Sequence, residues 1–228
     1  MVEKFWIDYS EHFSPLNVRA GFSLPQLSNL TSTARVLLCE SLGLNDNYLA
    51  YPEQVHSKNV ENCIYPGLYE NVDGLISDED QIVLSIKVAD CVPIFLVEKQ
   101  TGIIGLIHAG WRGIAKGIVN SGIDQIVKLG GIPNSLFVLM GPSIRKCCFE
   151  VGQDVATQFP QKFVIKNSNG NIAVDLHKTL ESQFISRGVN SENIFDTKKC
   201  TCCSHEMFSY RRQGKKSGRM IAIIGKSN

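Results

Sequence analysis

Three side chains of this sequence have the types needed to do chemistry at one centre. Cys91 lies in Val88-Ala89-Asp90-Cys91-Val92-Pro93, with His56 upstream in Gln54-Val55-His56-Ser57 and His108 downstream in His108-Ala109-Gly110-Trp111-Arg112-Gly113. One thiolate and two imidazoles can hold a catalytic zinc and leave a position open. The same thiol with one imidazole can instead act as a nucleophile and its base. The residue types alone leave both chemistries open, and a lone histidine beside glycines is equally a satisfied structural residue.

The elements around these residues must bring them together. Residues 82–88, 94–97 and 103–107 are short apolar runs bounded by turn residues and read as strands, with residues 98–102 as a hairpin loop. Antiparallel pairing through that loop sets Cys91 beside His108, because each lies about one strand length from the turn. Gly110 and Gly113 let the backbone turn closely after His108. A helix follows with Ile114, Ile118, Ile123, Ile126 and Val127 as its apolar stripe, closed by Gly130-Gly131. Further elements are a helix over Asn29–Leu42 facing inward through Leu30, Ala34, Leu37, Leu38 and Ser41, and a strand over residues 136–140. A helix capped by Asp175 and ended by Gly188, and a strand over residues 220–224, complete the set. Strands come in groups rather than in strict alternation with helices, so the expected class is α+β with mixed sheets.

Composition narrows the function. The 228 residues suffice for one sizeable core, and residues 1–228 read as a single domain. A formal net charge of +1 gives no basis for nucleic-acid or membrane-surface binding. No apolar stretch approaches the roughly 20 residues of a membrane span. The N-terminal residues lack the pattern of a signal peptide, so a cytoplasmic protein with reduced thiols is expected. Of the eight cysteines, Cys39 and Cys63 read as small buried hydrophobes. The group Cys200-Thr201-Cys202-Cys203 with His205 is too tight for a zinc ribbon and lacks a matching second pair, so no second metal is expected there.

The blocks around residues 54–57, 89–94 and 108–113 occur in order with three further matches. These are Gly141-Pro142-Ser143-Ile144 with Cys148-Phe149-Glu150-Val151-Gly152, then Cys200-Thr201, then Phe208-Ser209-Tyr210-Arg211-Arg212. Together they resemble the laccase-domain, or multicopper polyphenol oxidoreductase, family from about residue 50 onward. The resemblance implies that His56, Cys91 and His108 bind zinc. It also implies a mixed-sheet sandwich like that of cysteine-hydrolase toxins. The implied activity is phosphorolysis of adenosine, inosine, guanosine and methylthioadenosine, with an adenosine deaminase side activity. Copper in the same ligands, with phenol oxidation, is what the older family name implies. Five histidines in all are too few for a multicopper oxidase, although copper binds such donors more tightly than zinc.

Phosphorolysis needs cations for phosphate and an acid for the leaving base. Arg112 and Arg211 are the candidates for substrate binding, with Arg219 beside them in the family pattern. Asp90, Asp73 and Glu150 are the candidate acids, and Asp90 could instead orient a metal-bound histidine. The expected catalytic set is Cys91, His108 and Asp90, in a monomer or homodimer. A Cys91–His108 thiol hydrolase or amidase acting on a peptidoglycan precursor is the competing reading. The sequence departs from the family after Gly21-Phe22-Ser23, which lacks the usual arginine and paired glycines, and at Arg145-Lys146, where Gly-Pro is usual.

Overall fold

The computed structural model describes residues 5–14, 16–28, 33–166 and 170–227. Two six-stranded mixed sheets carry the chain. The first runs in spatial order Trp6–Asp8, Val18–Ser23, Met220–Lys226, Val83–Val88, Leu49–Pro52 and Gly67–Tyr69. The second runs Ile194–Asp196, Leu136–Met140, Val92–Glu98, Ile104–Ala109, Gly74–Ser77 and Val60–Asn62. Strands in the middle of each sheet pair antiparallel, and parallel pairs lie towards the edges.

Alternation of side chains explains why these strands read as unbroken apolar runs. Every residue of Val92–Glu98 is buried. Phe95 and Val97 point into the core between the sheets, where they join Phe22, Leu84 and Ala222. Ile94 and Leu96 point the other way, against Ile118, Ile123 and Ile126 and against Leu180 and Phe184. Met220–Lys226 does the same on the first sheet: Ala222 and Ile224 face inward, while Ile221 and Ile223 meet Leu38 and Cys39 of the helix Ala34–Ser41. With apolar neighbours on both faces, a strand loses its polar half. The result is helix, sheet, sheet and helix in four layers, the α+β arrangement of mixed sheets expected from the sequence.

The hairpin forms as expected. Val92–Glu98 and Ile104–Ala109 pair antiparallel, with Val92 opposite Ala109 and Pro93 opposite His108. The Glu98 carboxylate closes the loop by accepting from the backbone N–H groups of Gln100 (3.0 Å) and Thr101 (2.7 Å). Asp175 caps the helix Leu176–Ser186 by accepting from the Lys178 N–H at 3.1 Å, and Gly188 follows it in the left-handed region. Cys39 and Cys63 are fully buried, and burial pushes the Cys39 thiol up to about 12.

Three expectations need correction. The helix after His108 is two helices, Trp111–Ala115 and Ile118–Lys128, broken where Gly117 takes φ 83°. Val127 is exposed, because the 100° step from buried Ile126 carries it off the apolar face. The helix placed over Asn29–Leu42 is Ala34–Ser41, and Leu30 lies outside the described residues. Ser41 faces solvent and its hydroxyl donates to the Leu37 carbonyl at 2.7 Å. Among the described residues no helix is long and apolar enough to cross a membrane.

Candidate metal centre and pocket

His56, Cys91 and His108 come together. One ligand atom from each lies within 4.8 Å of the other two. Cys91 Sγ is 3.9 Å from His56 Nε2, and the two imidazole rings stand edge to face with centroids 4.9 Å apart. The hairpin supplies two of the three: His108 is the penultimate residue of its strand, and Cys91 immediately precedes the strand opposite.

His56 arrives on a loop after Leu49–Pro52 that is bracketed twice. The Gln54 side-chain amide pairs with the backbone of Lys87, donating to its carbonyl at 2.6 Å and accepting its N–H at 2.8 Å. The second bracket is Asp73, fully buried just before the strand Gly74–Ser77. One of its oxygens accepts from the His56 N–H (2.9 Å) and from His108 Nδ1 (2.8 Å), and the other from the Ser57 N–H (2.6 Å). A carboxylate only accepts, so Nδ1 of His108 carries a proton, and Nε2 is the nitrogen left to face the centre. Space is made by glycine. A Cβ on Gly110 would stand 2.8 Å from His56 Cδ2 and 3.2 Å from Cys91 Sγ, and one on Gly113 would stand 2.7 Å from the Ser57 carbonyl oxygen. Gln54, His56 and Asp90 all take positive φ (68°, 60° and 85°), a conformation costing about 1–3 kcal/mol each that only strong local bracing sustains.

Asp90 supplies such bracing. Its carboxylate accepts from the Thr201 hydroxyl (2.6 Å), the Ser209 hydroxyl (3.1 Å) and the Arg211 N–H (2.6 Å). The group that meets His108 is therefore Asp73. Glu150 is exposed, accepts from the Asn171 side chain and lies off the cavity wall.

The charges of the centre are coupled. Burial alone would push the Cys91 thiol up, but the imidazoles of His108 and His56 outweigh it and bring the thiol down to about 6. Burial opposes protonation of His108, yet the Cys91 sulfur and the Asp73 carboxylate carry it up to about 9. Burial also raises Asp73, and donation from His108 and Ser57 holds it below the usual carboxylate range. The centre is built to keep sulfur as thiolate, the form that binds a metal.

These residues line a cavity of about 700 Å³. Arg112 and Arg211, the expected phosphate ligands, both reach its wall, together with Lys87 and Arg219. Arg211 donates to the Cys148 carbonyl at 2.8 Å, and Arg112 lies over the Trp111 ring at 4.3 Å. Lys215 and Lys216 are exposed and off the wall. Phe149, Trp111 and Tyr210 add aromatic surface. Glu53 and Lys87 were not singled out in the sequence. Glu53 precedes the Gln-Val-His block directly and Lys87 is the charged interruption of an apolar strand, which are the signals that would have found them.

The sequence model of the family described as "Multi-copper polyphenol oxidoreductase laccase" matches residues 11–227. The chain belongs to this family. Among its similar proteins is "Adenosine deaminase RL5", from an unknown prokaryotic organism, 33% identical over 209 residues that cover 84% of this chain and 80% of that one. The "Purine nucleoside phosphorylase YlmD" of Geobacillus stearothermophilus is 32% identical over 205 residues, covering 78% and 75%. The crystal structure of YlmD from that organism superposes with a TM-score of 0.85 at 27% identity, covering 94% of both chains. Two activities on purine nucleosides are thus named among family members about a third identical to this chain. Among the described residues the family's copper name finds one group of mixed histidine and cysteine donors. Of the other histidines, His12 packs against Tyr9 and Phe195, His177 is buried beside Asp196, and His205 is exposed.

Proposed function

We propose that this protein is a zinc-dependent purine nucleoside phosphorylase acting on adenosine, inosine, guanosine and methylthioadenosine, with adenosine deamination as a side activity. The observation that supports this most is the convergence of His56, Cys91 and His108 at a cavity whose wall carries four cations. Two imidazoles and one thiolate suit a single zinc with an exchangeable position better than the several centres of a multicopper oxidase. His56, Cys91 and His108 would hold the zinc, which would supply a Lewis acid to the cavity they line.

The chain's own residues do the rest. Asp73 holds the proton of His108 on Nδ1 and fixes the loop that presents His56. Arg112, Arg211, Lys87 and Arg219 draw phosphate to the wall, and Arg211 is held through its backbone on Asp90 and its side chain on Cys148. Tyr210, Phe149 and Trp111 offer faces on which a purine can stack. In the reaction a phosphate oxygen bonds to the ribose anomeric carbon as the bond from that carbon to the base nitrogen breaks, and the base leaves with the proton that the phosphate gives up.

Metal analysis paired with product analysis tests the reading. Protein carrying metal at this centre should release adenine from adenosine only when phosphate is present, with ribose 1-phosphate as the second product, and chelation should stop it. Base release from none of the purine nucleosides by metal-replete protein would defeat the proposal. Metal-independent turnover, with rapid alkylation of Cys91 after chelation, would assign the thiol hydrolase instead.

A further inference from the structure

Four more cysteines converge elsewhere. The sulfur atoms of Cys147, Cys148, Cys200 and Cys203 all lie within 4.8 Å of one another. Cys148 and Cys203 are 3.3 Å apart, and Cys147 is 3.6 Å from both Cys200 and Cys203. All are free thiols. A disulfide would need about 2.05 Å, whereas four sulfurs bonded to zinc at about 2.3 Å stand about 3.8 Å apart in a tetrahedron. The closest spacings in the cluster fall nearer the second value.

We propose that Cys147, Cys148, Cys200 and Cys203 bind a second metal ion, a structural zinc held by four thiolates. Cys200-Thr201-Cys202-Cys203 supplies one pair at C-x-x-C spacing, while Cys202 between them is partly buried against the outer core of the second sheet. The matching pair that the sequence reading found missing is Cys147-Cys148. It becomes adjacent because Leu136–Met140 and Ile194–Asp196 pair in parallel, so the segments that follow them leave the sheet side by side. A bridge between Ser143 and Cys200 continues that pairing, with Ser143 N–H donating to the Lys199 carbonyl at 3.2 Å and Thr201 N–H to the Ser143 carbonyl at 3.1 Å.

The place of the cluster gives it a purpose. Ile144 and Phe149, on either side of Cys147-Cys148, line the cavity, and the Cys148 carbonyl accepts from Arg211. Thr201, beside Cys200, donates to the Asp90 carboxylate next to Cys91. A metal here would pin together the two loops that form one wall of the pocket. Ligands 52 residues apart or more (200 minus 148) make this a long-range clamp, and its binding energy adds to folding.

Zinc counted per chain in wild type, Cys91→Ala and the double variant Cys147→Ser/Cys203→Ser tests the proposal independently of enzyme activity. Two, one and one are expected, with cobalt-loaded Cys91→Ala giving the intense sulfur-to-metal absorption of a four-thiolate site. One zinc in both wild type and Cys91→Ala would uphold the cluster and overturn the catalytic metal. One in wild type and none in Cys91→Ala would overturn the cluster and leave the catalytic metal standing. If the double variant fails to fold, the Cys91→Ala count still decides. Loss of two titratable thiols in freshly denatured, unreduced wild type would show a disulfide in place of the metal and also refute the proposal.

Discussion

Two buried histidines of this protein stand beside aspartates and end up with opposite chemistry. His108 Nδ1 is 2.8 Å from Asp73, and His177 Nδ1 is 3.3 Å from Asp196. His177 even completes the connectivity of a hydrolase triad, since its Nε2 lies 2.8 Å from the hydroxyl of Ser143. The arrangement runs backwards, however. Arg145 reaches the same His177 Nδ1 at 2.8 Å, and a guanidinium only donates, so that nitrogen accepts and the ring proton sits on Nε2. Ser143 therefore accepts from the ring and donates its own O–H to the Gly141 carbonyl at 3.2 Å. It is also fully buried. His108 instead donates from Nδ1 to its aspartate, and its other nitrogen belongs to a cluster on a cavity wall. Tautomer and access, rather than connectivity, separate a structural lock from a reactive centre.

That contrast can be broken by substitution. The largest effect should come from Cys91→Ala, which removes the only sulfur of the reactive centre and should lower nucleoside turnover at least about 1,000-fold. Turnover within tenfold of wild type in this variant would mean that the chemistry lies elsewhere. Asp73→Asn should weaken metal affinity at the centre about 10–100-fold, read by competition with a coloured chelator, because the amide can turn its NH2 towards His108 and favour the wrong tautomer. Ser143→Ala should cost about 1–2 kcal/mol in urea unfolding while turnover changes less than about twofold. A large loss of turnover with stability unchanged would make the serine a participant and erase the distinction drawn here.

The smallest effect concerns acid. Burial raises Asp196, but the Arg145 guanidinium and the Lys198 backbone N–H outweigh it and hold the carboxylate well below its ordinary range. A depressed carboxylate stabilises the fold fully above its unfolded-state value of about 3.9, and the gain disappears as pH falls towards the folded-state value. The urea midpoints of wild type and Asp196→Asn should therefore converge as pH is lowered from about 5 to about 3. A constant gap across that window would show that Asp196 contributes by shape and not by charge.

The sequence made some of this legible and hid the rest for definite reasons. Cys91 and His108 could be paired because a short loop fixes the register of two strands on either side of it. His56 carried no such geometry and came only from family resemblance. Asp73 was visible as an acid but not as the anchor of His108, since that role follows from Gly74–Ser77 lying against Ile104–Ala109 with Gly74 opposite Ile107. Asp90 was read as an acid or as a support for a histidine. Its carboxylate ties Thr201, Ser209 and Arg211, contacts more than 100 residues away that no local pattern encodes. The apolar stripe from Ile114 to Val127 read as one helix, and the left-handed conformation of Gly117, which the stripe does not reveal, breaks it.

The path of the chain through the first sheet has a consequence for how the protein comes into being. Met220–Lys226 lies between Val18–Ser23 and Val83–Val88, so two strands made early wait for one made more than 130 residues later (220 minus 88). His56, Cys91 and His108 likewise leave the ribosome before Ile144, Phe149, Tyr210 and Arg211, which wall them in. A nascent chain thus carries all three side chains of the reactive centre before it has either a finished sheet or an enclosed pocket. Until synthesis reaches the closing strand, those groups are open to any metal or oxidant in the surrounding fluid.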